Sequence, residues 1–225
     1  MRDSDYHHRF FLGIVVLVVG LSTVGIFPSN ANKKPRREVN PAQNLQTQDL
    51  RAPQPRAEKF IGKLAIYPDE PVYVMDITVN GEQHQINRHI TAAGEDWLNG
   101  LTFRVKNISK KNIVFIYASL IFPETKHILQ GKTFAFDLRY GADPRLETAP
   151  STEKPLKPEE AAEFVLRDAS YKNLKRAFEA RITPIKNINS IQIDVLRVIF
   201  DDDTGWATGS FLHRDPNDPT KWIDN

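Results

Sequence analysis

Three patterns of apolar and polar positions divide this chain. An uncharged apolar run, FFLGIVVLVVGLSTVGIF, extends from Phe10 to Phe27. Between residues 32 and 58 only Val39, Leu45 and Leu50 are large and apolar. From Lys59 onward the apolar residues recur mainly at every second position, which predicts half-buried β-strands.

The run predicts a membrane or signal helix. Its 18 residues, at ~1.5 Å per residue, come close to a ~30 Å hydrocarbon core. Ser29-Asn30-Ala31 offers small residues for signal cleavage after Ala31. The run exceeds the usual apolar region of ~7–15 residues, which favours an uncleaved anchor. Residues 1–31 are therefore read as a signal peptide or membrane anchor. Residues 32–58, with Pro35, Pro41, Pro53 and Pro55 among polar and basic residues, are read as a disordered stem.

The body, residues 59–225, is predicted to be all-β. Tyr73, Met75, Ile77 and Val79 alternate with polar positions, and Asn80-Gly81 then signals a tight hairpin. Its return strand is expected from Glu82 to about Ile90. Leu101, Phe103 and Val105 make a further strand. Ile113–Phe122 is apolar throughout, as in a strand covered on both faces. Phe134, Phe136, Leu138 and Tyr140 alternate again. Ala162, Phe164 and Leu166 suggest a short strand. A helix follows on the stripe Tyr171, Leu174, Phe178 and Ile182, capped by Asp168 or Ser170; one long helix from Pro158 to Arg181 is the competing expectation. The last hairpin is expected to pair Ile191–Phe200 with Trp206–His213. The apolar parity switches at Val195-Leu196, which predicts a β-bulge. The predicted architecture is an antiparallel immunoglobulin- or fibronectin-like β-sandwich with one short helix in a crossover.

Charge and composition narrow the function classes. The formal net charge is +2, and seven basic against three acidic residues between Lys33 and Lys59 account for the excess. The body lacks the basic face that nucleic acid requires, so no nucleic-acid partner is expected. Lys33, Lys34, Arg36 and Arg37 fit contact with anionic lipid headgroups. The same cluster, following the apolar run, argues for a body in the cytoplasm; the cleavage-like site argues for export, which is the reading preferred. The chain has no cysteine, so disulfides and thiol ligands are excluded in either compartment.

NISKKNIVFIYASLIFPET, FDLRYG and INSIQIDVLRVIFDDDTGWATGSFLHRDPNDPTKW carry a resemblance. Over roughly residues 100 to 222 the chain resembles a group of uncharacterised exported or anchored proteins of acidobacteria and similar soil bacteria. Their C-terminal phrase approximates Phe-x-Asp-Gly-Thr-x-Trp-x-x-Gly, then Asp-Pro-Asn-x-Pro. Here Asp203 stands where that phrase has glycine. The resemblance implies compartment and architecture and no activity.

Candidate chemistry is sparse. Asp203-Thr204-Gly205 is spaced wrongly for an aspartic protease, because Asp201 and Asp202 intervene and bulky Trp206 follows. Asp201, Asp202 and Asp203 could offer oxygen ligands to calcium, but solvated turn carboxylates are the simpler expectation. His84 and His89 lie five apart, on opposite faces of a regular strand, and cannot share a zinc ion. Trp97, Trp206 and Trp222 are the candidate contact residues, with core or rim packing as the alternative for the last two. No cofactor is expected. The function that fits is a non-catalytic binding or assembly module of the cell envelope, held by its N-terminal segment, with an envelope protein or glycan as partner. The alternative is an envelope hydrolase using the acidic residues of the final hairpin.

Overall fold

The strands fall where apolar residues can face a common interior. In the computed structural model, residues 56–144, 153–218 and 221–224 are described. The apolar run 10–27, and the stem as far as residue 55, lie outside the described residues. Among the described residues no helix is long and apolar enough to cross a membrane.

Twelve strands form two sheets. In chain order they are β1 (Arg56–Lys63), β2 (Val72–Val79), β3 (Glu82–Gln85), β4 (Arg88–Ala93), β5 (Thr102–Asn107), β6 (Ile113–Phe122), β7 (Phe134–Tyr140), β8 (Ala161–Val165), β9 (Ser190–Phe200), β10 (Thr204–Ala207), β11 (Ser210–Arg214) and β12 (Trp222–Asp224). One helix, α1 (Asp168–Arg181), lies between β8 and β9. β3, β2, β5 and β8 form the four-stranded sheet. The eight-stranded sheet is organised on β9. β6 pairs along most of one edge of β9. On the other edge β1 runs parallel to Ser190–Ile193, and β10 pairs with Val198 and Ile199. Mainly β, with two sheets and a single helix, this arrangement is consistent with a β-sandwich.

The core lies between the sheets. Val74, Ile77, Phe103 and Phe164 of the smaller sheet share one buried cluster with Ile116, Leu120, Ile193 and Val198 of the larger. Tyr171, Leu174 and Phe178 of α1 close it, as the helical stripe predicts. β6 spans the residues expected for it, and β7 and β9 flank it on either side. The bulge expected at Val195-Leu196 is present: Ala118 opposes Val195 and Tyr117 opposes Arg197, leaving Leu196 unmatched.

Several expectations are corrected. β2 carries a bulge, because Val74 opposes Val105 and Ile77 opposes Phe103. Val72 and Val74 therefore face the core, and Tyr73 is exposed. The return strand from Glu82 to Ile90 is two strands in different sheets. Asn87, at φ 61°, turns the chain from β3 into β4, which pairs with β1. The strand expected from Trp206 to His213 is also two. Thr208 and Gly209 both take positive φ, 45° and 96°, and fold β10 back on β11. Helix α1 starts at Asp168 after Arg167, with no side-chain cap hydrogen bond, so neither Asp168 nor Ser170 caps it. Residues 161–165 are strand, which excludes one helix from Pro158 to Arg181. Arg56, Ala57 and Glu58 belong to β1 and not to the stem.

Candidate functional site

The three tryptophans are not equivalent. Trp97 is 1% exposed, and its Nε1 donates to the Ile188 carbonyl at 3.1 Å. Trp206 is 0% exposed and donates to the Pro68 carbonyl at 3.2 Å. Buried tryptophans with satisfied N–H groups are packing anchors, so neither presents a face to a partner. Trp222 is half-buried on β12. Its ring would lie 3.5 Å from a Cβ at residue 205, where Ile199 Cδ1 and the Val198 carbonyl would lie at 2.9 Å. The Val198 carbonyl and Ile199, and not the ring, reserve position 205 for glycine.

The aspartates of the final hairpin sit on its first turn, each with a different partner. Asn112 Nδ2 donates to Asp201 at 2.8 Å. Lys111 Nζ approaches Asp202 at 2.8 Å, and the Thr204 hydroxyl donates to Asp202 at 2.5 Å. Burial opposes ionisation of Asp202, but hydrogen bonds from Lys111 and Thr204 and the Lys111 charge hold its carboxyl below the usual range. Arg214 Nε lies 3.2 Å from Asp203, an ion pair without hydrogen-bond alignment. Asp203 takes φ 60°, the left-handed conformation that glycine favours and aspartate tolerates. Among the described residues no three His, Asp or Glu side chains converge to hold a metal ion.

A different set of residues comes together beside this turn. The segment after β1, Leu64 to Pro71, forms a strap that touches β9 at Ile193 and Asp194 and β10 at Trp206. Tyr67 packs edge-on against Trp206, ring centroids 5.7 Å apart, and the Trp206–Pro68 hydrogen bond ties the strap down. Beneath it Lys63 pairs with Glu70, whose side chain is only 7% exposed. Lys63 also donates to the Ala65 carbonyl at 2.7 Å. Asp194 is fully buried in β9, and the Tyr67 hydroxyl reaches it at 3.5 Å. Burial pushes the Glu70 carboxyl up, and the Asp194 charge adds to this. Lys63 and the Tyr67 backbone N–H oppose it, and the net direction is upward. Lys63 and the Tyr67 backbone N–H are thus the donors that hold the Glu70 carboxylate.

Glu70 also lines an open groove of about 390 Å³, bounded by three segments: Asp69–Pro71, Ile108–Lys111, and residues of the C-terminal hairpins. Phe200, Phe211, Leu212 and Ile108 give it apolar walls. Ile108 and Phe211 are 51% and 45% exposed, so the rim offers apolar surface to solvent. Lys111 Nζ lies 5.3 Å from the Phe200 ring centre while bound to Asp202 and Thr204. One of the three metal candidates, Asp202, thus positions a groove-lining lysine. The size and the mix of apolar wall with few polar groups match small-ligand sites.

The outer face of the larger sheet is polar nearby. Tyr117 on β6 stands opposite Arg139 and Arg197, and Ser119 opposite Asp137 and Asp194. The Ser119 hydroxyl donates to Asp137 at 2.7 Å. Burial, with the Asp137 hydrogen bond and charge, pushes the Tyr117 hydroxyl up to about 12.

Sequence reasoning found the hairpin that frames the groove but missed Glu70, Ile108 and Phe211. Glu70 stands in YPDEP, which reads as an exposed turn. Phe211 was expected inside a continuous strand, and the turn at Thr208-Gly209 is what brings it to the rim. No family model, no curated protein and no solved structure matches the chain.

Proposed function

We propose that the chain is a non-catalytic binding module of the cell envelope, with the groove between the strap, the Ile108–Lys111 turn and the C-terminal hairpins as its site. The observation that carries this reading is a groove whose rim sets the exposed apolar side chains of Ile108 and Phe211 beside charged residues of two turns. The immunoglobulin- or fibronectin-like assignment belongs to the same proposal, and the two mainly antiparallel sheets around one core support it; the parallel pairing of β1 with β9 departs from the all-antiparallel expectation. The export reading, from the run 10–27 and Ser29-Asn30-Ala31, belongs to the proposal too, as does the resemblance to exported soil-bacterial proteins.

A hydrolase working through Asp201, Asp202 and Asp203 has less support. Their carboxylates are engaged by Asn112, Lys111 and Arg214 and do not face one another as a proton-sharing pair requires.

The test places a photo-crosslinking side chain at Phe211 in the full chain and, as control, at Ile128, which is 47% exposed on another surface. In native cells an adduct is expected from position 211 and not from 128. Equal labelling, or none at 211, would refute the groove as the site. A periplasm-active reporter fused after Asn225 is expected to be active; activity only from a cytoplasm-dependent reporter would place the body inside.

A further inference from the structure

We propose that β7 is a docking edge for a second copy of this chain, the two β7 strands pairing antiparallel about Leu138. This concerns self-assembly and is independent of the groove.

The edge is open and unprotected. Among the described residues β7 pairs with β6 alone. The other strands that end a sheet are short or blunted. β3 has four residues, all polar, β12 has three, β8 has five, and β4 begins with Arg88 and His89. β7 has seven residues, no proline or lysine, and an unbroken register with β6. Short length, proline, lysine and bulges are the devices that keep edges from pairing. Phe134, Phe136, Leu138 and Tyr140 are half-buried and pack against the core, so an added strand would cover apolar surface still in contact with water.

The backbone decides which residues can pair. The Thr125 hydroxyl donates to the Phe122 carbonyl at 2.7 Å and accepts from the Phe134 N–H at 2.8 Å. It thereby stands in for a rung between Phe122 and Phe134, which lie opposite each other. The Phe134 N–H therefore points toward β6, and by alternation so do the backbone groups of Phe136, Leu138 and Tyr140. Those of Ala135, Asp137 and Arg139 point to the open side. The next in that series, the Gly141 N–H, is taken by the Glu153 carboxylate, which ends the free edge.

Charge then selects the register. With Leu138 opposite itself on a twofold axis, Asp137 faces Arg139 of the second copy, and the pair occurs twice. These are the residues whose backbone groups are free to bond. Phe136 faces Tyr140 of the second copy on the core side. Moving the axis to Asp137 or to Arg139 would set like charges opposite each other, which is destabilising. Asp137 and Arg139 are exposed, and no ion pair holds either among the described residues. The edge is thus complementary to itself, as an isologous contact requires.

The chain has no cysteine, so one introduced thiol reports one place. The test oxidises the full chain in detergent with copper phenanthroline. At a site without backbone bonds, opposite Cα atoms lie ~4.5 Å apart, within the ~4.4–6.8 Å that a disulfide spans. Leu138→Cys should give a linked dimer at least tenfold faster than Ile128→Cys, at a residue 47% exposed on another surface. Adding Arg139→Asp or Asp137→Arg to Leu138→Cys should each slow linking at least tenfold, because like charges then face each other. A mixture of those two variants should restore it, since each supplies the charge the other lacks. Sedimentation of the parent and of Arg139→Asp gives the same comparison without a thiol: the parent should dimerise at least tenfold more tightly. Equal linking at 138 and 128, no linking at 138, or linking and sedimentation indifferent to the charge changes would overturn the proposal. A photo-crosslinker at Arg139 that captures a different protein in native cells, and never a second copy, would overturn the choice of occupant.

Discussion

Two lysines of β1, four residues apart, one buried and one partly buried, stand in opposite situations. Lys59 has no carboxylate partner. Its three donors reach the Ile188 carbonyl and Asn189 Oδ1, both at 2.8 Å, and the Lys186 carbonyl at 3.3 Å, and it lies 5.3 Å from the Trp97 ring centre. An ammonium has three hydrogens to give, so this end of the strand is complete. Lys63 pairs with Glu70, which also takes a hydrogen bond from the Tyr67 backbone N–H. The first charge is held by neutral oxygens in the core; the second is held by an opposite charge at the edge of a groove. Buried charge alone does not mark a site, because a fold can satisfy it with neutral groups or with an ion pair.

The comparison can be broken most severely at the strap. Trp206→Ala removes a fully buried indole and releases Pro68, and should cost roughly 3–5 kcal/mol by chemical denaturation. A cost under about 1 kcal/mol would show that the strap is held by something else. At the Lys59 end, Lys59→Met keeps most of the packing but leaves three oxygens without their donor, a loss of about 1–3 kcal/mol. A neutral or stabilising result would mean that those oxygens find other donors.

Acid–base behaviour sharpens the contrast, because the two groups shift in opposite directions with pH. Burial holds Lys59 below the usual lysine value of 10.5, against a smaller opposing effect of the Glu124 charge. Between its folded value and 10.5 the unfolded chain binds more protons, so stability rises as pH climbs through that window. Glu70 is raised above 4.5 by burial. Between 4.5 and its folded value the folded chain holds more protons, so its contribution is present below 4.5 and is lost as pH rises. Glu70→Gln should remove the acidic slope and Lys59→Met the alkaline one, in denaturation midpoints measured across pH. Slopes unaltered by the matching substitution would show that other groups set them. The smallest effect belongs to the first turn of the final hairpin. Changing Asp201, Asp202 and Asp203 to Asn should cost about 0.5 kcal/mol or less per exposed position. Melting of the parent should be independent of calcium; a rise with calcium that the triple mutant loses would reveal a metal site.

Much of the framework was legible in the residues. Strand β6, the alternation in β7, the Asn80-Gly81 turn, the helical stripe of α1 and the Leu196 bulge all follow from local pattern. The bulge in β2 did not, because Val72 and Val74 offer an inward parity as good as that of Tyr73 and Met75, and only pairing with β5 chooses between them. The turn at Thr208-Gly209 lacks the strong Asn-Gly signal and splits what reads as one strand. Of the candidate residues, Asp202 holds the groove-lining Lys111, while Trp97 and Trp206 serve packing. The groove itself was hidden, since residues near 70, 108 and 211 meet only when the strap, one turn and the last hairpins assemble. A glutamate in a proline-flanked turn carries no local sign that it will be buried.

The photo-crosslinking side chain at Phe211 of the full chain in native cells tests the central claim most directly. The account predicts an adduct from position 211, at the rim of the groove, and none from position 128. Equal labelling at both, or none at 211, would contradict the assignment of binding to the groove.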